Sequence, residues 1–499
     1  SGSKQVVEKG GTATGSNISA GGSLIVYTGG IAHGVNQETG SALVANTGAG
    51  TDIEGYNKLS HFTITGGEAN YVVLENTGEL TVMAKTSAKN TTIDAGGKLI
   101  VQKEAKTDST RLNNGGVLEV QDGGEAKHVE QQSGGALIAS TTSGTLIEGT
   151  NSYGDAFYIR NSEAKNVVLE NAGSLTVVTG SRAVDTIINA NGKMDVYGKD
   201  VGTVLNSAGT QTIYASATSE KANIKGGKQT VYGLATEANI ESGEQIVDGG
   251  STEKTHINGG TQTVQNYGKA INTDIVSGLQ QIMANGTTEG SIINGGSQVV
   301  NEGGLAENSV LNDGGTLDVR EKGSATGIQQ SSQGALVATT RATRVTGTRA
   351  DGVAFSIEQG AANNILLANG GVLTVESDTS SDKTQVNMGG REIVKTKATA
   401  TGTTLTGGEQ IVEGVANETT INDGGIQTVS ANGEAIKTKI NEGGTLTVND
   451  NGKATDIVQN SGAALQTSTA NGIEISGTHQ YGTFSISGNL ATNMLLENG

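Results

Sequence analysis

The chain has 499 residues and a formal net charge of −18 at pH 7, from 50 acidic and 32 basic residues. This balance disfavours nucleic acid and anionic membrane surfaces as partners, because both attract basic side chains. Cysteine and proline are absent from the sequence, which excludes disulfides and thiolate metal sites and suits a chain held almost entirely in β-ladders.

A short phrase recurs from residue 4 onward, and residues 313–325 show it plainly. It consists of Gly-Gly-x-(Leu/Gln)-x-Val, then Gly-x-Ala, then an apolar residue followed by Asn or Asp. Its valine positions, such as Val82, Val101 and Val120, recur at a nearly constant spacing. A period of about 20 residues predicts stacked units, and therefore a solenoid.

The interior of the repeat indicates which solenoid this is. Apolar residues two positions apart, in short runs bounded by glycine, are typical of short β-strands. About 18 residues per repeat allow three strands and three turns. We therefore predict an all-β fold, a solenoid of the three-sided parallel β-helix type, with coils of about 18–19 residues in which each coil pairs with the next.

In chain order, residues 1–3 are expected to be a cloning remnant, and residues 4–499 a single β-helix that ends within a coil. Four variant modules interrupt the plain repeats near residues 51–76, 145–171, 344–367 and 473–498. Each contains one of the four phenylalanines, two positions before an isoleucine, and occupies about two coils of chain. We expect the phenylalanine to fill a widened core; alternatively, the loop before it projects as a hairpin or marks a bend.

An asparagine or aspartate follows the apolar residue that ends the second clear strand of the repeat. Stacked coils would align these side chains as a ladder beside the Gly-Gly turn. The alternative is a polar strip that a second molecule recognises. The asparagines at this position are Asn113, Asn189, Asn206, Asn258, Asn294, Asn312, Asn387, Asn422 and Asn441.

We predict no catalytic, metal-binding or cofactor-binding residues. Aspartates precede Gly-Gly at several turns, as at Asp122 and Asp313, but the nonapeptide spacing of calcium β-rolls is absent. The five histidines lack metal-ligand spacing. A polysaccharide-degrading enzyme, which parallel β-helices also include, would need clustered carboxylates, and here the acidic residues are spread evenly.

Residues 347–357, Gly-Thr-Arg-Ala-Asp-Gly-Val-Ala-Phe-Ser-Ile, are followed by Asn-Gly-Gly-Val-Leu-Thr-Val at 369–375. Together with the plain repeat, they resemble the passenger domains of self-associating autotransporter adhesins, the AIDA-I, TibA and antigen-43 group. The resemblance covers essentially all of residues 4–499.

The resemblance implies a right-handed β-helix on the bacterial surface, anchored to the outer membrane through a C-terminal barrel that this chain lacks. Members of this family bind one another between cells, which causes aggregation and biofilm formation, and some also adhere to host cells. The implied role is virulence-related adhesion without enzymatic activity. An adhesin for a host receptor or glycan, without self-association, is the alternative.

The partner predicted for the chain is therefore a second copy of itself, paired side by side and antiparallel. A regular repeat presents the same polar row many times, so contacts that are individually weak add along a rigid face. The sequence does not determine the face. Our candidates, on the coils between the first two modules, are Lys89, Asn90, Arg111, Asn113, Lys127 and His128.

Overall fold

The computed structural model describes residues 2–498, which form β-strands and turns without a helix. They divide into two compact units, with the boundary between Ile246 and Val247. Ser1, in the expected cloning remnant, and Gly499, the expected end within a coil, lie outside the described residues. Among residues 2–498 no helix is long and apolar enough to cross a membrane.

The described residues of the first unit form 33 strands, and a further strand, Asn239–Asp248, includes the unit boundary. In chain order the strands are Lys4–Val7, Thr12–Thr14, Asn17–Ile18, Ser23–Val26, Ile31–Gln37, Ala42–Asn46, Asp52–Tyr56, His61–Thr65, Glu68–Asn70, Val73–Leu74, Glu79–Val82, Ser87–Lys89, Thr92–Ile93, Lys98–Val101, Lys106–Asp108, Arg111–Leu112, Val117–Val120, Glu125–Gln131, Ala136–Ser140, Leu146–Thr150, Ala156–Arg160, Glu163–Lys165, Val168–Leu169, Ser174–Val177, Arg182–Val184, Ile187–Ile188, Lys193–Val196, Lys199–Val201, Val204–Asn206, Thr210–Ile213, Thr218–Glu220, Asn223–Val231 and Leu234–Thr236.

The second unit continues with the same kind of short strand. In chain order these are Ser251–Glu253, His256–Gln265, Lys269–Ile271, Asp274–Ile282, Thr287–Glu289, Ile292–Ile293, Ser297–Val300, Leu305–Glu307, Val310–Leu311, Thr316–Val319, Ser324–Gln330, Ala335–Thr339, Arg344–Arg349, Ala354–Glu358, Ala361–Asn363, Leu366–Leu367, Val372–Val375, Ser380–Asp382, Gln385–Asn387, Arg391–Val394, Thr399–Thr401, Thr404–Thr406, Glu409–Val412, Val415–Asn417, Thr420–Ile421, Ile426–Val429, Glu434–Ile436, Lys439–Ile440, Thr445–Val448, Lys453–Gln459, Ala464–Gln466, Glu474–His479, Gly482–Ser487 and Leu490–Thr492.

A regular coil has one strand on each of three faces. In one such coil the first, second and third faces are formed by Glu79–Val82, Ser87–Lys89 and Thr92–Ile93. Each strand pairs in parallel with the equivalent strand of the following coil; Val82, for example, pairs with Val101, its counterpart one repeat later. These pairings confirm the predicted three-sided parallel β-helix.

Alternation along each strand builds the interior. In Glu79–Val82, Leu80 and Val82 are fully buried, whereas Glu79 and Thr81 are half-buried and face outward. Burying a leucine or valine side chain contributes about 1.5–3 kcal/mol. Because every coil repeats this burial, a chain that is only 34% hydrophobic still forms a continuous core within each unit.

The Gly-Gly pair at the turn before the first face has two separate functions. Gly115 has a φ of 80°, a conformation that side-chain-bearing residues rarely adopt. Gly116 has no such φ, but a Cβ there would lie 2.8 Å from the backbone oxygen of Ile93 in the preceding coil. The first glycine adopts this backbone conformation without strain, and the second leaves space for the backbone of the preceding coil.

Glutamines replace leucine at the inward position of the first face in several coils. In the first unit, Gln229 Nε2 donates to Gln211 Oε1 at 2.9 Å, and Gln245 Nε2 donates to Gln229 Oε1 at 2.8 Å. The second unit has the same arrangement at Gln262, Gln280 and Gln298. Buried amides are costly unless they are hydrogen-bonded, and stacking identical side chains supplies both donor and acceptor.

The asparagine ladder predicted beside the Gly-Gly turn is confirmed as several short segments. The donor–acceptor pairs are Asn206–Asn189 at 2.8 Å, Asn312–Asn294 at 2.7 Å and Asn441–Asn422 at 2.8 Å. Elsewhere the partner differs: Asn113 donates to Asp94, and Asn387 accepts from Gln385. The ladder is therefore a mixed polar row along one edge.

Antiparallel insertions build the phenylalanine-containing modules. In the second module, Leu146–Thr150 pairs in parallel with the preceding coil, Ala156–Arg160 runs back antiparallel to it, and Glu163–Lys165 runs forward again. On the first face, Ala136–Ser140 pairs directly with Ser174–Val177. About two coil lengths of chain thus form one coil with three strands on its second face.

The four phenylalanines, Phe62, Phe157, Phe355 and Phe484, are buried, as expected for core residues. Exposed tyrosines lie at the hairpin turn in three of the four modules: Tyr56 ends the strand before the turn, and Tyr153 and Tyr481 lie within it. The phenylalanine is therefore a core residue within a hairpin whose turn reaches solvent.

Side chains at the end of each module form hydrogen bonds with the preceding coil. Glu170 Oε1 accepts from the Gly134 amide at 2.6 Å, and Asn171 Nδ2 donates to the Gly134 carbonyl at 2.9 Å. Inside, Gln131 Nε2 donates to the Val168 carbonyl at 3.1 Å. Equivalent contacts in the first module are made by Glu75, Asn76 and Gln37.

Candidate functional site

The six residues proposed for self-association lie on three consecutive coils of the first unit. Five of them lie along the edge between the second and third faces, and Asn113 lies at the other end of the third face, beside the Gly-Gly turn. Lys89 ends a second-face strand, and Lys127 lies within one. Asn90 and His128 occupy the corners that follow. Arg111 belongs to a third-face strand, and Asn113 comes directly after that strand.

Asp108 lies directly between Lys89 and Lys127 in the parallel register of the second face. Adjacent strands are about 4.8 Å apart, so the three side chains form one column. The exposed fractions of the side chains are 54% for Lys89, 47% for Asp108 and 44% for Lys127. The column presents positive, negative and positive charge in turn.

Acidic side chains match the basic ones around this column. Four ion pairs join them: Lys89–Glu68 at 3.6 Å, Lys106–Glu125 at 3.7 Å, Lys127–Glu125 at 3.4 Å and Arg111–Glu130 at 3.6 Å. We call this set, with Asp108, Asn90 and His128, the charged surface. Its four basic residues face four carboxylates, so it is locally neutral on a chain whose net charge is −18.

The corner residues support the central carboxylate. Asn90 and His128 have φ values of 56° and 55°, in the left-handed region that asparagine tolerates well. Ser109 Oγ donates to Asp108 Oδ1 at 2.9 Å, and His128 Nδ1 lies 3.0 Å from the same oxygen. These hydrogen bonds hold the pKa of Asp108 below its ordinary value, which keeps the column charged.

Asn113 differs from the other five, because it links the surface to the first module. Its Nδ2 donates to Asp94 at 2.8 Å, and Lys58, in the hairpin turn, lies 2.6 Å from both Asp94 and Glu75. Burial alone would raise the pKa of Asp94, but the hydrogen bonds from Lys58 and Asn113 hold it below the ordinary value. We interpret Asn113 as a residue that maintains the local structure.

The sequence interpretation missed the acidic half of the charged surface. Asp108 lies one repeat length from both Lys89 and Lys127, and Glu130 lies one repeat length from Arg111. Since one repeat forms one coil here, residues at this spacing become neighbours. Adding one repeat length to Lys89, Lys106 or Arg111 would have identified its acidic neighbour, whereas for Lys127 the acidic neighbour lies one repeat length earlier.

Within residues 2–498, no group of three or more histidine and acidic side chains is placed to hold a metal ion. Individual histidines instead contact single carboxylates on an adjacent strand. His33 Nε2 lies 2.9 Å from Asp52, and His256 Nδ1 lies 3.0 Å from Asp274. Pairs of this kind belong to the outward-facing polar rows.

Comparison with known proteins finds several matches. The probable autotransporter YpjA of Escherichia coli strain K12 is 99% identical over 497 residues, which are 100% of this chain and 33% of that protein. The chain therefore spans about a third of the length of this relative. A crystal structure of a TibA fragment, hyper-glycosylated by TibC, is 29% identical, covers 62% of this chain and 98% of its own, and aligns with a TM-score of 0.34.

A family model described as the adhesin of the bacterial autotransporter system, probable stalk, matches most of the module-containing segments. The matched residues are 54–116, 148–209, 346–408, 410–463 and 476–499, more than half of the sequence. The chain belongs to this family of bacterial autotransporter adhesins.

Proposed function

We propose that this chain is part of a passenger that stands on the bacterial surface and joins cells by pairing with a second copy of itself. The charged surface of the first unit is the contact. The observation that supports this assignment is its alternating, locally neutral charge. On a strongly acidic chain, such a patch is where two copies approach with the least repulsion.

Antiparallel pairing makes this surface complementary to itself. If two copies lie side by side about a two-fold axis, a displacement by one coil places Lys127 of each copy opposite Asp108 of the other. A displacement in the other direction places Lys89 opposite Asp108. Either arrangement is isologous, so each contact occurs twice.

Individual contacts at this surface are weak. Exposed ion pairs contribute about 0.2–1 kcal/mol each and weaken as salt is added. The strands that carry the side chains are already ordered, so pairing costs little backbone entropy. Many copies on two opposing cells would then act together, which raises the overall strength without new contacts.

Membership of the autotransporter adhesins supports a location outside the outer membrane, to which the full-length protein is anchored. In this proposal the partner is a copy on another cell, and aggregation and biofilm growth follow from the pairing. The role is one of binding, without catalysis.

Cell aggregation tests the assignment. The full-length protein is displayed on a non-aggregating strain, and settling is followed by turbidity. Test substitutions are Lys89→Ser, Asn90→Gly, Arg111→Ser, Lys127→Ser and His128→Gly, which leave the structural Asn113 in place. The matched control carries Lys437→Ser and Lys439→Ser, which change exposed positions on the corresponding corner and third face of the second unit.

We expect the test variant to settle several-fold more slowly than the wild type and the control variant to settle at the wild-type rate. Equal settling of all three, with equal amounts of protein on the surface, would show that the charged surface is not the contact.

A further inference from the structure

A polar groove of about 510 Å³ lies on the first face of the first unit, beside the second module. It is located where the strand register changes. Ile138 pairs with Glu119 of the preceding coil and with Ser174 of the next, although Thr176 is the repeat equivalent of Glu119. This displacement by two residues interrupts the regular stacking of outward side chains.

Several kinds of hydrogen-bonding group meet in the groove. Lys103, Gln121 and Asp122 are exposed at its corner, and the hydroxyls of Ser140 and Thr176 line its floor. Ser140 Oγ donates to Asp122 Oδ1 at 2.5 Å, which orients the carboxylate. The groove thus offers an amine, an amide, a carboxylate and hydroxyls within one short stretch of surface.

A stack of tyrosines begins one coil beyond the groove, because Thr176 pairs directly with Asp195, two residues before Tyr197. The ring centroids of Tyr197 and Tyr214 are 4.2 Å apart with an interplanar angle of 4°, and Tyr232 follows at 6.3 Å and 26°. Tyr214 Oη donates to Asp195 Oδ1 at 3.1 Å, which fixes the middle ring. Tyr197 remains 42% exposed and Tyr232 44% exposed.

We propose that the groove and the tyrosine stack together bind a neutral saccharide chain. Sugars combine many hydroxyls with apolar C–H faces, and they match a surface that combines mixed polar groups with rigid aromatic rings. The carboxylates of Glu119, Asp122 and Asp195 disfavour polyanions such as sialylated glycans. The groove is within the size range of small-ligand sites.

This saccharide surface is on the first face, whereas the charged surface lies between the second and third faces. The two proposals therefore stand or fall separately. A similar groove of about 630 Å³ in the second unit has Asp450 and Ser468 in equivalent positions, with the Ser468 hydroxyl 3.5 Å from the Asp450 carboxylate. The tyrosine stack described above belongs to the first unit, so we assign binding to that unit.

An array of neutral oligosaccharides and their sialylated counterparts, probed with the complete chain, tests the proposal. Tyrosine fluorescence then gives the affinity for the best array member, since the chain contains no tryptophan. The test variants are Tyr197→Ala and Asp122→Asn, both at exposed positions. Tyr267→Ala and Asp450→Asn, at exposed sites in the second unit, are the matched controls.

We expect binding to at least one neutral oligosaccharide, weakened about 3- to 10-fold by each test substitution and unchanged in both controls. Three results would each overturn the proposal: no binding at millimolar concentration, binding to sialylated members alone, or equal binding by the wild type and the test variants. Circular dichroism of each variant checks that the fold is retained.

Discussion

Gly149 lies directly opposite Phe157 in the antiparallel hairpin of the second module. The same pairing joins Gly55 with Phe62, Gly347 with Phe355 and Gly477 with Phe484. A Cβ added to Gly347 would lie 2.5 Å from Cζ of Phe355, so the ring covers the glycine. The glycine is what allows the phenylalanine to remain inside the coil.

Replacing Gly149 with alanine should destabilise the second module. The added Cβ would overlap with the backbone of Val129 in the preceding coil, and overpacking of this kind costs about 1–3 kcal/mol. Hydrogen exchange of the amides in residues 146–165 should become faster. Asp155→Ala, in the exposed turn of the same hairpin, is the control and should leave exchange unchanged. Unchanged protection in Gly149→Ala would contradict this packing.

The buried glutamine ladder should be sensitive to an apolar replacement of similar size. Gln229→Leu removes the hydrogen bond that Gln229 donates to Gln211 and the one that it accepts from Gln245. A buried polar group left without its hydrogen bond costs about 1–3 kcal/mol. We expect the first unit to unfold at a lower urea concentration, with unfolding monitored by tyrosine fluorescence. Asn206→Ala, in the outward ladder, should cost less, because water can replace the lost bond. If Gln229→Leu and Asn206→Ala lowered the stability equally, the buried glutamine ladder would contribute no more stability than the outward asparagine hydrogen bonds.

Asp200 should make the stability of the first unit depend on pH. It is fully buried and accepts hydrogen bonds from Thr203, Gln211 and Ser219. Burial raises its pKa from 3.8 to about 6, although these bonds oppose the shift. Below pH 3.8 the carboxyl is protonated whether the chain is folded or unfolded. As the pH rises towards 6, the unfolded chain ionises first, and stability falls by about 3 kcal/mol.

Asp200→Asn removes this titration, so the difference in urea midpoint between wild type and variant should change between pH 4 and about 6 and stay constant above it. Taking the difference cancels the contributions of the other carboxyls. A difference that does not vary with pH in this range would contradict the assignment.

Much of the fold could be predicted because the repeat length decides which residues are neighbours. Val82 and Val101 share a position in the repeat, and they pair in the structure. The hairpin insertions could not be derived in the same way. Two coil lengths of chain could form either two stacked coils or one coil with three strands on one face. The antiparallel pairing of Gly149 with Phe157 shows that the second arrangement is present, and this pairing is visible only in the structure.

The inward glutamines show a different limit. Gln229 occupies the leucine position of the repeat, which indicates burial, but a single glutamine in an apolar interior is unfavourable. A buried glutamine is tolerated only where several such coils stack, because each side-chain amide then hydrogen-bonds to the next. For the charged surface, the repeat spacing could have identified Asp108 from Lys89. Which face is used for pairing depends on how a second molecule docks, and the sequence of one chain carries no information about that docking.

Sedimentation velocity over a range of protein and salt concentrations tests the pairing most directly. We predict that the wild type forms a concentration-dependent dimer that weakens with salt. Lys89→Glu with Lys127→Glu should be monomeric, because the column becomes entirely negative. Asp108→Lys should be monomeric because it becomes entirely positive, and mixing the two variants should restore a dimer. A wild type that is monomeric at every concentration, or charge variants that dimerise as the wild type does, would contradict pairing through this surface.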